Sequence, residues 1–108
     1  MGYFDNIGNF TATLSVTAYS DARLKTNVKT IENALEKTSK MRGVTFEKNG
    51  VAGLGVIAQE VREVFPELVV EAADEDKTLS VAYGNIVGVL IEAVKELKAE
   101  IEELKKGK

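Results

Sequence analysis

Residues 87–104 have the sequence VGVLIEAVKELKAEIEEL, in which apolar side chains recur at alternating spacings of three and four. This spacing continues for nearly three heptads and predicts an amphipathic helix with a coiled-coil seam. The a positions are Val87, Val94 and Ile101, and the d positions are Leu90, Leu97 and Leu104. We therefore predict a long helix at about residues 82–106 that packs against other copies of itself. The alternative is a shorter core helix that frays into a solvated tail of Lys and Glu.

Three features of this helix bear on how the copies associate. Glu100 at a g position is placed to pair with Lys105 at an e position of a neighbouring chain, which favours parallel association. β-branched residues at a with Leu at d favour two strands in isolated zippers. Ile91 at e widens the apolar face, which suits a third helix or packing against the rest of the domain. The heptads predict association but leave dimer and trimer open.

Shorter elements are predicted before this helix. A spacing of three and four predicts a first helix that ends before a glycine stop at Gly43, with its apolar face formed by Val28, Ile31, Leu35 and Thr38. A hairpin of residues 44–46 and 54–57 is predicted from apolar runs around the Asn49-Gly50 turn signal. A helix over residues 58–65 follows and is stopped by Pro66. Further apolar runs predict a second hairpin of residues 68–70 and 79–81, with an exposed tip at residues 73–77. The expected fold class is α+β: a small helix and hairpin domain followed by the long helix.

The first residues of the chain have a different character. Residues 10–19 are rich in Thr and aromatic residues, with apolar side chains near every second position, and predict a strand that ends at Ser20. We therefore expect residues 1–19 to be the C-terminal remnant of a longer passenger. Residues 20–108 would form the domain itself.

Composition restricts the function further. The chain has 108 residues, 44% hydrophobic and 29% charged, which is typical of one small globular domain helped by oligomerisation. Its 14 basic residues are scattered among 17 acidic ones, which disfavours nucleic-acid binding, and no apolar run approaches the roughly 18 residues of a membrane span. The absence of Cys and His excludes disulfides, thiol catalysis, the usual zinc sites and a Ser-His-Asp triad. We expect no metal and no cofactor.

Ser20 and Lys25 stand five residues apart at the predicted domain boundary. Without histidine, a nucleophilic serine needs a lysine or a carboxylate as its base. A lysine acts as a base only when desolvation or a nearby cation, here Arg23, lowers its pKa from about 10.4. Ser20 would then attack the carbonyl of Tyr19. Taken alone, the same residues are also typical of a turn or helix cap.

The string SDARLKTNV at residues 20–28 resembles the opening signature of the intramolecular chaperone family found at the C-termini of endosialidase tailspikes and other phage fibres. Similar blocks follow in the family's order at residues 31–37, 43–46, 55–61, 65–69 and 79–97, so the resemblance covers residues 20–108. It implies a homotrimer that folds and registers the fibre upstream of it and then cuts itself free with a serine–lysine dyad. Carried onto this sequence, the nucleophile is Ser20, the base is Lys25 and the scissile bond is Tyr19-Ser20. Asp21, Arg23 and Glu60 are expected in supporting roles.

The resemblance thus predicts a self-cleaving folding chaperone, a single-turnover serine peptidase, belonging to a phage tail fibre or tailspike precursor assembled in the host cytoplasm. Its expected partners are further copies of itself and the upstream passenger. Family members often carry an aromatic residue shortly after the block at residues 43–46, whereas this chain has a short connection there, so the projecting loop is expected to be short. Two alternatives stay open: a trimerisation clamp that no longer cleaves, and a dimeric zipper that presents an α+β adaptor to another protein.

Overall fold

A computed structural model of the chain describes residues 2–4, 10–12 and 19–107. The two upstream segments form an antiparallel pair, β1 (Gly2–Phe4) and β2 (Phe10–Ala12). The predicted strand over residues 10–19 is therefore seen in its first three residues. Residues 13–18 lie outside the described residues, and Tyr19 is in irregular chain.

The first helix is shorter than predicted. After a 3-10 turn at Ala22–Leu24 the chain stays irregular until α1 (Ala34–Thr38). Asn27 and Asn33 take the left-handed backbone conformation, with φ of 53° and 56°, which a continuous right-handed helix does not contain. The prediction of a helix from residue 28 was wrong in its first half.

The C-terminal end of α1 was also misplaced. Ser39 caps the helix, because its backbone N–H donates to the carbonyl of Leu35. Gly43 lies four residues further on, directly before a strand, so it does not act as the glycine stop that the sequence suggested.

The first hairpin consists of β3 (Val44–Lys48) and β4 (Val51–Gly55), paired antiparallel with Lys48 opposite Val51. Asn49 and Gly50 both have positive φ, 53° and 79°, as a two-residue turn of the primed type requires. The turn prediction is confirmed, although β4 begins three residues earlier than expected and ends at Gly55.

The next helix and the second hairpin agree with their predictions. α2 (Ala58–Val64) ends where Pro66 opens a 3-10 turn that leads into β5 (Val69–Glu71). β5 pairs antiparallel with β6 (Leu79–Val81), and the connecting tip is exposed.

The last element is α3 (Ile86–Lys106), a helix of 21 residues that follows a 3-10 turn at Tyr83–Asn85. At 1.5 Å per residue it is about 30 Å long, which is enough to extend beyond a domain of this size. The α+β class is thus confirmed, with the long helix close to the predicted bounds.

The core is small and is built where α1, α2 and the first half of α3 meet. Among residues 19–107, six buried apolar side chains form it: Ala34, Val61, Phe65, Leu68, Val89 and Ala93. From residue 97 to residue 107 every residue of the chain is exposed. The second half of α3 therefore leaves the globular body.

Candidate functional site: a serine–lysine turn and a bare helix face

The chain immediately after Tyr19 folds into a tight turn. Asp21 caps the 3-10 turn at Ala22–Leu24, because its carboxylate accepts a hydrogen bond of 2.9 Å from the backbone N–H of Arg23. The backbone N–H of Lys25 then donates to the carbonyl of Ala22 at 3.1 Å. These bonds reverse the chain direction and bring residue 25 back towards residue 20.

The turn places the two residues of the predicted dyad in contact. Nζ of Lys25 donates a hydrogen bond to Oγ of Ser20 at 2.7 Å. This distance lies within the range over which a base takes a proton directly from a hydroxyl group. Both side chains are exposed, and so is Tyr19, with 96% of its surface accessible. The bond between Tyr19 and Ser20 therefore lies at the surface of the chain.

Asp21 and Arg23 form a closed ion pair beside the dyad. Nη2 of Arg23 lies 2.7 Å from Oδ2 of Asp21, and Nε lies 3.1 Å from Oδ1. The hydrogen bonds from Arg23 lower the pKa of the Asp21 carboxyl, and the same pairing raises the pKa of Arg23. The charge of Arg23 is thus paired within the turn, which weakens its effect on a neighbouring lysine.

Glu60, the third supporting residue named from the sequence, has a different partner. Its carboxylate accepts hydrogen bonds of 2.9 Å from both Nε and Nη2 of Arg42. The hydrogen bond from Arg42 lowers the pKa of Glu60. This pair fastens the segment before β3 to the first turn of α2.

The long helix carries two apolar faces that adjoin each other along its length. One face packs onto the body through Ile86, Val89 and Ala93. The other contains the six predicted seam residues, each between 45% and 72% exposed: Val87, Leu90, Val94, Leu97, Ile101 and Leu104. A continuous apolar stripe on an exposed helix marks an interaction surface, because leaving it in water is unfavourable. We call these six residues the seam.

Glu96 is a structural residue that the sequence did not reveal. Its carboxylate accepts hydrogen bonds from the backbone N–H groups of Ala34, at 2.9 Å, and Leu35, at 3.1 Å. Those groups belong to the first turn of α1, and Asn33, at the N-cap position, makes no side-chain capping bond. Glu96 therefore caps α1 from a distance of more than 60 residues, and no local pattern signals such a partner.

The β3–β4 hairpin is tied to the start of α3 by Tyr83. The hydroxyl of Tyr83 accepts a hydrogen bond of 3.2 Å from the backbone N–H of Val56. A Cβ atom at Gly55 would stand 2.6 Å from that hydroxyl oxygen, and one at Gly53 would stand 2.8 Å from the ring of Phe46. The two glycines thus let aromatic rings lie directly on the strand.

Among residues 19–107 no three acidic side chains are grouped in a way that suits a metal ion. The same part of the chain contains no helix that is long and apolar enough to cross a membrane.

The chain is similar to a known protein family and to several phage proteins. Residues 20–70 match the family described as chaperone of endosialidase, whose model is also named as a peptidase family. The long tail fiber proteins Gp37 of Enterobacteria phages K3 and T2 are each 42% identical to this chain over 94 residues, which cover 79% of it. Gp37 of Enterobacteria phage Ox2 is 34% identical over 113 residues, covering 95% of the chain. The chain spans only 8%, 7% and 44% of these three relatives, respectively.

Proposed function

Because this chain belongs to the chaperone-of-endosialidase family, we propose that it is the C-terminal folding chaperone of a phage tail fibre and that it works in three steps. It associates as a parallel homotrimer through the seam, holds the upstream fibre chains in register, and then cuts itself free between Tyr19 and Ser20. The observation that carries the cleavage step is the hydrogen bond of 2.7 Å between Lys25 Nζ and Ser20 Oγ.

The cleavage reaction follows from this contact. In its neutral form the Lys25 amine takes the proton of the Ser20 hydroxyl, and Oγ attacks the carbonyl carbon of Tyr19. The Lys25 ammonium then returns this proton to the nitrogen, the C–N bond between the two residues breaks and the nitrogen leaves as the α-amine of Ser20, so that Tyr19 becomes esterified to Oγ. Water then hydrolyses the ester, which frees the Tyr19 carboxylate and restores the Ser20 hydroxyl. Each chain is cut once.

The exposure of the dyad gives assembly a role in this chemistry. A lysine becomes a base near neutral pH when its ammonium group loses hydration, and Lys25 is exposed in the single chain. The nearby cation, Arg23, is already paired with Asp21. A surface that covers the turn, either a neighbouring copy or the passenger, would supply the missing desolvation. Cleavage would then follow assembly rather than precede it.

The seam supports the association step. Its six apolar side chains are between 45% and 72% exposed, although they occupy a helix that is otherwise well formed. Burying one such side chain contributes about 1.5–3 kcal/mol, so several layers across three chains offset the entropy lost on association. A parallel arrangement also brings Glu100 of one chain near Lys105 of the next.

The upstream partner is proposed to be the fibre itself. The relatives are long tail fibre proteins, and residues 1–19 are proposed to be the end of such a passenger, with the chaperone domain beginning at Ser20. In this proposal the trimer forms on a fibre precursor in the host cytoplasm. Cleavage then removes the route back to the separated chains and leaves the fibre kinetically trapped.

The second candidate function is a trimerisation clamp that keeps the fold without cutting. The exposure of both dyad side chains favours it, because an exposed lysine stays hydrated. Intact mass spectrometry of the purified chain separates the two functions. In the self-cleaving chaperone the wild type yields a product that begins at Ser20, whereas Ser20→Ala and Lys25→Ala stay whole.

Lys25→Arg is the matched control for the base, because arginine keeps the positive charge but does not lose its proton at neutral pH. It should stay whole as well. If all four proteins stay at full length while forming trimers, the clamp is the correct function.

A further inference from the structure

The apolar face of α3 that the body leaves exposed, here called the bare face, changes width along the helix. Next to the body it includes Ile91, an e residue with 53% of its surface exposed, in addition to the neighbouring seam residues Leu90 and Val94. Further on, the two e positions are occupied by Lys98 and Lys105, and only the seam is apolar. An a/d stripe is typical of a two-stranded coiled coil, whereas an a/d/e face is typical of a helix in a larger bundle.

The body of the chain does not use Ile91. The side chains that pack onto the core from this part of α3 are Ile86, Val89 and Ala93, which lie on the opposite side of the helix. Ile91 is therefore an apolar side chain that the fold of the single chain leaves uncovered.

A second copy alone covers Ile91 poorly. In a parallel pair the e and g positions lie at the rim of the interface, and the residue across from Ile91 is Ile86 of the neighbour, which already packs against its own body. A third helix closes this rim, so that Ile91 is enclosed between its own seam and the neighbouring helices. The residue types at a and d favour two chains, so the choice of three needs a further determinant.

We propose that Ile91 fixes the number of chains at three, with two further copies of this chain as the occupants of the bare face. The inference rests on the trimer of the proposed function and assigns its stoichiometry to one side chain beside the body. Charge complementarity between Glu100 and Lys105 supports parallel copies of the same helix as those occupants.

The test is the mass of the full 108-residue chain in solution, measured by sedimentation equilibrium on a Ser20→Ala background so that every chain keeps its length. We expect the parent to have three times the chain mass of 11.7 kDa. Ile91→Lys should shift the mass to twice that of the chain, since a lysine is tolerated at the rim of a dimer. Ile91→Ala should give a mixture of both, and Lys98→Ala, at the next e position, should stay at three.

Each other result overturns the inference. Ile91→Lys and Ile91→Ala chains that both keep three times the chain mass would show that the seam alone sets the number. Ile91→Ala chains that are monomeric or lose their helical circular dichroism would assign Ile91 to general stability or to the fold of the single chain. If the parent protein itself is not a trimer, the trimer of the proposed function is contradicted. The mass of the parent tests this independently of the Ile91 variants.

Discussion

The carboxylate of Glu96, on α3, caps the first turn of α1 by accepting the backbone N–H of Ala34 at 2.9 Å. The two residues are 62 positions apart, so this contact joins the shortest helix of the domain to the longest. A five-residue helix is not stable by itself and depends on such tertiary partners.

Glu96→Ala should therefore lower the free energy of unfolding by about 1–2 kcal/mol, because it leaves two N–H groups of α1 without their acceptor. Chemical denaturation at a fixed protein concentration measures this. Glu103→Ala is the matched control, since Glu103 lies one heptad further along the same helix in an exposed position, and its effect should stay within about 0.5 kcal/mol. Equal losses in the two variants would contradict the capping role.

Gly55→Ala should destabilise the hairpin by about 1 kcal/mol, because the new Cβ atom would stand 2.6 Å from the Tyr83 hydroxyl and displace it from the N–H of Val56. Thermal unfolding reports the loss. Gly84→Ala, where a Cβ meets nothing within 4 Å, is the control. Tyr83→Phe removes the clashing oxygen, so the double variant should cost less than the sum of the two single ones. Simple additivity would show that the clash is absent.

The Arg42–Glu60 pair should make a pH-dependent contribution to stability. Its hydrogen bond lowers the pKa of Glu60 in the folded state from the ordinary 4.5, so the contribution is complete above that value and is lost as the pH falls through the lower folded pKa. Urea midpoints of wild type, Glu60→Gln and Arg42→Gln should differ at pH 7 and converge as the pH falls below the folded pKa of Glu60. A difference that persists at low pH would assign the effect to packing instead of charge.

If the chain cleaves itself as proposed, Asp21→Ala should slow the reaction by about tenfold or more, because the capped turn holds Lys25 against Ser20 and small displacements in a reacting pair are costly. The fraction of cut chain over time, followed by gel electrophoresis, gives the rate. Asp74→Ala is the matched control: Asp74 caps another surface turn, by accepting the backbone N–H of Thr78 at 3.0 Å. Its rate should equal that of the wild type. An unchanged rate for Asp21→Ala would remove the turn from the mechanism.

Some local features of the fold were predictable from the sequence, and others were not. The Asn49-Gly50 turn was predictable, because both residues accept the positive φ that a two-residue hairpin requires. The helix predicted from Val28 was not observed there, since Asn27 and Asn33 adopt left-handed conformations and Val28 faces solvent. The sequence already argued against a helix in this segment. It contains the β-branched residues Thr26, Val28 and Thr30 and the two asparagines, which favour helices weakly.

The sequence by itself determined the long helix with its seam and the hairpins, because each depends on residues close together in the chain. Only the tertiary structure decided which side of α3 the body covers, how short α1 is, and which residues Glu96 and Glu60 bind. Those outcomes depend on contacts between distant segments, and a periodic pattern gives the faces of a helix without naming what packs on each.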